Sequence, residues 1–127
     1  IRYEMQLRGC ELTKLDDATI ALLTNRDVLS MLTPDCKPHQ VCLDDEKAIW
    51  CAYNAVTGEH FAAFFNLSDE TQTIHCDIET LHVGDEPCAH KDASLTELWS
   101  KEKTSVSGSA ISVTPPAHGC LVFRVEN

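Results

Sequence analysis

The sequence has no long hydrophobic run and few basic residues. Among 127 residues, Lys and Arg number 10 against 20 Asp and Glu, so the formal net charge is −10. An acidic excess of this size repels a phosphate backbone and an anionic bilayer, so neither nucleic acid nor membrane is expected as a partner. No apolar run approaches the ~20 residues that a membrane-spanning helix needs. The apolar share of 43% is nevertheless enough for a packed core.

The chain also lacks a Cys-x-x-Cys motif, although it holds seven cysteines. The odd number, and the position of Cys51 and Cys120 inside apolar runs, favour buried free thiols of a reducing compartment. The opening residues lack the apolar core of a signal peptide and do not begin with Met. We therefore expect a fragment of a cytoplasmic rather than a secreted protein. The alternative is a secreted protein with three disulfides and one spare thiol.

The first third of the chain has helical spacing. An aspartate can cap the N-terminus of residues 15–23, and Asn25 can cap a second turn. Apolar residues recur there at helical spacing and form a stripe of Val28, Leu29, Met31 and Leu32. Pro34 and Pro38 bracket a predicted linker, with a domain boundary near residue 35.

The remaining residues have the spacing of β-strands. In residues 70–78, for example, Ile74, Cys76 and Ile78 alternate with polar side chains. The predicted strands occupy residues 48–56, 59–67, 70–78, 94–100, 110–114 and 118–126. The first two form a hairpin, whereas residues 79–93 are polar and irregular. Because no long helix separates the strands, the sequence predicts a mainly β fold, an antiparallel Greek-key β-sandwich of about eight strands.

Several stretches are similar to those of known enzymes. The stretch RGCELTKLDDATIALLTNRDVLSML (8–32) resembles the last strand–helix unit of the catalytic barrel in α-galactosidases of glycoside hydrolase family 27. The β-sandwich that follows this barrel is matched by FFNLSDET (64–71), ELWS (97–100) and TPPAHGCLVFRV (114–125). The resemblance implies that residues 1–34 are the terminal strand and helix of a truncated (β/α)8 barrel. Residues 35–127 are then the C-terminal β-sandwich domain.

The resemblance also implies what the chain does and what it lacks. Family members hydrolyse α-galactosides with retention, using one Asp as nucleophile and another as acid/base at the ends of barrel strands. Both lie upstream of the matched residues, so no catalytic residue is assigned and the chain alone is expected to be inactive. Its implied partner is the barrel of the same parent chain, which the domain covers or stabilises, and no cofactor is implied. Without that barrel, the apolar stripe needs the sandwich or a second copy of the chain to cover it.

Two functions of other classes stay open. A stand-alone carbohydrate-binding module would use exposed aromatic side chains, and the candidates are Trp50 and Tyr53. A zinc-stabilised structural domain would draw on the ligand types of one polar segment, where the candidates are His75, His82, Cys88 and His90. Their spacing matches no recognised zinc motif, so no metal site is assigned.

Three further motifs carry no function in this interpretation. Neighbouring acids at 16–17 and 44–46 are typical of solvated helix faces and turns rather than of a catalytic carboxylate pair. His118 lies near Cys120, but the resemblance places the histidine in a turn and the cysteine in the core. Asn66 begins a formal glycosylation sequon, N-L-S, which we interpret as chance because it coincides with a family turn.

Overall fold

The computed structural model describes residues 16–31, 33–106 and 108–127. In these ranges two short helices precede ten β-strands. The helices are α1 (Asp17–Leu23) and α2 (Arg26–Leu29). The strands are β1 (Cys36–Leu43), β2 (Lys47–Asn54), β3 (His60–Asn66), β4 (Ile74–Asp77), β5 (His82–Val83), β6 (Glu86–Pro87), β7 (Ser94–Glu97), β8 (Lys103–Ser105), β9 (Ala110–Val113) and β10 (Cys120–Glu126). A 3₁₀ turn, Ile78–Thr80, follows β4.

The strands form one large and two small antiparallel sheets. The large sheet has the order β1-β2-β3-β10-β7-β8, and the pairs β4-β9 and β5-β6 form the other two. The final strand therefore lies at the centre of the large sheet, between β3 and β7. This arrangement confirms the predicted antiparallel β-sandwich.

The central hairpin has the predicted position. Strands β2 and β3 pair from Lys47 with Asn66 to Tyr53 with His60. Gly58 in the connection has a φ of 76°, a left-handed conformation that glycine adopts without steric cost. The predicted hairpin over residues 48–67 is confirmed.

The two faces of the large sheet bury different sets of side chains. On the inner face, the apolar residues of β2, β3 and β10 pack against the β4-β9 pair, and Phe64 meets Phe123 edge to face with ring centroids 6.0 Å apart. Ile74 and Cys76 of β4 are both buried there, as their alternation predicts. We call this the inner core. The opposite face, the outer face, is covered by the helical segment instead.

Two predictions about irregular segments are wrong. The linker bracketed by Pro34 and Pro38 is largely strand, because β1 spans Cys36–Leu43. Pro38 is tolerated since β1 is an edge strand, where a missing backbone N–H need not remove a ladder hydrogen bond. Residues 79–93 include β5 and β6 and also bury Leu81 and Cys88 completely.

The helical predictions agree with the structure where it describes the chain. Helix α1 falls within the predicted residues 15–23, although Leu15 lies outside the described residues. Strand β1 begins directly after the predicted domain boundary. The assignment of residues 1–34 to a barrel stays a prediction, and residues 1–15 lie outside the described ranges. In the part of the chain that is described, no helix has both the length and the apolarity to cross a membrane.

Candidate functional site

The outer face of the large sheet is where the helical segment and the β-sandwich meet. Its buried side chains come from both parts and are Met31, Cys36, Ala52, Phe61, Ala63, Leu98 and Val122. Partly buried side chains surround them and are Val28, Trp50, Phe65 and Trp99. Met31 is only 5% exposed although it follows a four-residue helix. The helical segment therefore forms part of the hydrophobic core on this side.

Asn25 fixes the start of α2 and also docks it. Its Oδ1 accepts a hydrogen bond from the backbone N–H of Val28 at 3.1 Å, as the predicted N-cap requires. Its Nδ2 donates to the carbonyl oxygen of Leu98 at 2.8 Å. One side chain therefore satisfies the helix end and ties it to the end of β7.

Charged side chains make a second connection between helix and sheet. Arg124 of β10 donates through Nη2 to Oδ1 of Asp27 at 3.2 Å and lies 3.5 Å from Glu59 through Nε. Its guanidinium carbon also stands 5.9 Å from the ring centroid of Phe61. Lys101 donates to the other oxygen of Asp27. The hydrogen bond from Lys101 is the largest cause of a pKa of Asp27 below its ordinary value, and the hydrogen bond from Arg124 lowers the pKa further.

Glu97 is a buried carboxylate, the feature that most resembles a catalytic group. Its Oε2 accepts hydrogen bonds from the backbone N–H of Trp99 at 3.0 Å and of Ser100 at 2.6 Å. It borders a cleft of about 200 Å³ that Ser112 and Phe123 also line. Because its side-chain oxygen accepts hydrogen bonds from two backbone N–H groups, Glu97 stabilises the turn after β7.

Asn66 organises the turn after β3. Its Nδ2 donates to the carbonyl oxygens of Glu70 at 2.7 Å and Pro115 at 3.2 Å, and the residue is 1% exposed. Its Oδ1 accepts from Gln72 at 2.8 Å and from Ser68, through the backbone N–H at 3.0 Å and the hydroxyl at 2.7 Å. The nitrogen that glycosylation of the sequon would modify is therefore buried and occupied.

The structure separates the two candidate sugar contacts. Trp50 lies on the outer face, half-buried against the hydrophobic cluster there. Tyr53 lies on the opposite parity of the same strand and stacks on His60, with ring centroids 4.8 Å apart. They do not form a shared aromatic platform, and a sugar contact for either stays a prediction.

The predicted apolar stripe divides between two environments. Val28 and Met31 pack on the sheet, whereas Leu29 is 40% exposed. Leu32 lies outside the described residues. The sandwich contacts Val28 and Met31, and the barrel-facing role of the stripe stays a prediction.

The candidate metal ligands have separate surroundings. His75, His82 and His90 are exposed, whereas Cys88 is completely buried. His82 stacks on His39, with ring centroids 5.6 Å apart. Among the residues described, no group of three or more His, Cys, Asp or Glu side chains is arranged to hold a metal ion.

Comparison with known proteins identifies similar molecules. The family model for the α-galactosidase C-terminal β-sandwich domain matches residues 44–125. The comparison with curated protein sequences gives no match. A solved GH27 β-L-arabinopyranosidase from Geobacillus stearothermophilus is similar, with a TM-score of 0.78, 24% sequence identity, and coverage of 94% of this chain and 26% of that one.

Two further solved structures share the fold. A putative α-N-acetylgalactosaminidase from Bacillus halodurans C-125 has a TM-score of 0.75 and 20% identity, with 94% of this chain and 26% of that one covered. α-Galactosidase I from Mortierella vinacea has a TM-score of 0.76 and 14% identity, with 92% and 30% covered. The chain thus spans between a quarter and a third of the length of these proteins.

Proposed function

Because the chain belongs to the α-galactosidase C-terminal β-sandwich domain family, we propose that it serves as the non-catalytic C-terminal part of an α-galactosidase-like glycoside hydrolase. The observation that carries this proposal is the joint core of helical segment and sheet on the outer face. A coverage of 94% in the first comparison means that the structural similarity extends beyond residues 44–125 into the helical segment. The shared unit is therefore larger than the sandwich alone.

In this proposal the outer face holds the sandwich to a catalytic barrel of the same parent chain. Asn25, Asp27 and Met31 attach the helical segment to the sheet through hydrogen bonds, ion pairs and apolar contact. On the helices, Ile20 is 41% exposed and Leu29 is 40% exposed. These two apolar side chains are available for contact with the barrel to which the helices would belong.

We expect no catalysis by the chain alone, because of what retention requires. A retaining glycosidase needs two carboxyl groups about 5–5.5 Å apart, one as nucleophile and one as acid/base. Asp27 is engaged by Arg124 and Lys101, and Glu97 by backbone N–H groups. The catalytic pair of the parent enzyme is expected on barrel strands, at their C-terminal ends.

The experiment compares this chain with the protein made when the preceding coding sequence is included. Each is assayed with aryl α-galactoside, aryl α-N-acetylgalactosaminide and aryl β-L-arabinopyranoside. We expect the longer protein to hydrolyse at least one of them and the chain alone to hydrolyse none. Hydrolysis by the chain alone, or a longer protein inactive on all three, would contradict the proposal.

A variant pair tests the role of the outer face. In the longer protein, Arg124→Ala removes the ion pair with Asp27 and is expected to lower the melting temperature while leaving kcat near that of the parent. Arg26→Ala is the matched control because Arg26 is an exposed arginine on α2, the helix that carries Asp27. Equal melting temperatures for the two variants would argue against a stabilising role for the outer-face ion pairs.

A further inference from the structure

Two buried thiols of the inner core each lie against the segment that carries the other. The cysteines at 36, 42, 51, 76, 88 and 120 are all free. Cys51 on β2 and Cys88, directly after β6, are 2% and 0% exposed and belong to the same buried cluster. The Cys51 thiol donates to the carbonyl oxygen of His82 at 3.2 Å, and the Sγ of Cys88 stands 3.9 Å from the carbonyl oxygen of Ala52.

We propose that Cys51 and Cys88 are a redox pair that closes into a disulfide and fastens the β5-β6 hairpin to β2. Both cysteines lie on the inner core side, away from the outer face that carries the proposed attachment to a barrel. The inference is therefore independent of the glycosidase assignment.

The cross-link would form by thiol–disulfide exchange in two steps. A hydrogen bond from Cys88 lowers the pKa of the Cys51 thiol, whereas the same contact and burial raise the pKa of Cys88, and this difference favours Cys51 as the attacking thiol and Cys88 as the resolving one. The oxidant is a small-molecule disulfide such as oxidised glutathione. The Cys51 thiolate attacks one of its sulfurs and releases one thiolate, which takes up the proton of Cys88. Cys88, now a thiolate, then attacks the Sγ of Cys51 and releases a second thiolate, which takes up from solvent the proton that Cys51 had lost on ionising. Two protein thiols are thereby oxidised, and one external disulfide becomes two thiols.

Access to this pair requires the β5-β6 hairpin to open. Each of its strands has two residues, and β5 and β6 pair only with each other in the described sheets. Beyond the buried thiols and the packing of Leu81 and Val83 on the inner core, the hairpin is held by the stack of His82 on His39 and by the contact of Glu86 with His60 at 3.2 Å. Such a small unit opens at a lower free energy than the whole domain. A disulfide between Cys51 and Cys88 would prevent that opening.

The test oxidises the folded protein in glutathione buffers of increasing oxidised fraction. Unreacted thiols are then alkylated under denaturing conditions, and peptides are mapped by mass spectrometry. We expect one peptide pair joined through Cys51 and Cys88, with five of the seven cysteines alkylated. The melting temperature should rise by about 5–15 °C, because the cross-link constrains the unfolded chain, and should fall again with dithiothreitol.

Two variants sharpen the result. Cys76→Ala changes another buried cysteine of the inner core, whose Sγ contacts the Thr80 hydroxyl at 3.3 Å, and it should keep the Cys51–Cys88 linkage. Cys88→Ala should abolish the linkage and the reversible rise in melting temperature. Should Cys88→Ala fail to fold, the peptide map of the parent protein decides alone. Oxidised protein in which Cys51 and Cys88 are both alkylated, or are joined to other cysteines, would overturn the proposal.

Discussion

Replacement of Asn66 by Ala removes a buried side chain that holds three parts of the sandwich together through hydrogen bonds. The change removes five side-chain hydrogen bonds at the end of β3. Four of them join Asn66 to residues 68–72. The fifth joins it to the carbonyl oxygen of Pro115, a fully buried residue. Ser68 and Gln72 are only partly buried, so they can turn to water after the change.

The magnitude follows from these environments. A typical net contribution is about 1 kcal/mol per hydrogen bond, and a buried acceptor left without a donor costs about 1–3 kcal/mol. Ser68 and Gln72 can form hydrogen bonds with water instead, so their lost bonds to Asn66 contribute little. We therefore expect Asn66→Ala to lower the free energy of unfolding by about 2–4 kcal/mol. For a domain of this size, that corresponds to a fall in melting temperature of roughly 10 °C.

Asn54 provides the matched control, since it ends β2 as Asn66 ends β3. Its Oδ1 accepts only from the backbone N–H groups of Val56 at 2.9 Å and Thr57 at 3.1 Å, in an exposed turn. Both alanine variants are unfolded with urea, and their free energies are compared with that of the parent. A loss for Asn66→Ala no larger than that for Asn54→Ala would refute the reasoning.

Three further outcomes follow from the same contacts. Asn66→Asp should lose stability at neutral pH and recover part of it in acid, because only a protonated carboxyl can donate to the carbonyls; urea unfolding at two pH values measures this. The lowered pKa of Asp27 gives stability above its ordinary pKa that is lost as pH falls through the folded-state value. In an acid titration followed by tryptophan fluorescence, the parent should therefore lose stability below the ordinary pKa of an aspartate, a loss that Asp27→Asn lacks. Met31→Ala should cost about 2–4 kcal/mol in urea unfolding because it empties a buried position, whereas Leu29→Ala should cost under about 1 kcal/mol; equal losses would contradict the described packing.

Features set by local sequence could be predicted. The alternation that places Ile74 and Cys76 inward is visible in residues 70–78, and the N-cap at Asn25 precedes an apolar run. The hairpin turn at Thr57-Gly58 was likewise marked by its glycine. In each case the residues that fix the structure are close together in the chain.

Features set by contacts between distant parts of the chain could not be predicted from the sequence. Pro38 indicates a linker unless it is known that the strand lies at a sheet edge, which depends on the pairing of the whole sheet. The contact of Asp27 with Arg124 joins residues 97 positions apart, and the sequence around neither residue predicts it. Cys88 follows a polar stretch, yet it is buried because β6 carries it against β2. A cysteine after an acidic turn gives no periodic signal from which that burial could be found.

The central claim is that this chain continues a catalytic barrel whose last helical segment is held on the outer face of the sandwich. The most direct measurement is the reading frame upstream of Ile1 in the transcript. We expect about seven further βα units, with two aspartates at the ends of different barrel strands, in a chain roughly three to four times the present length. A stop codon in frame directly before Ile1, or an upstream sequence without βα units, would contradict it.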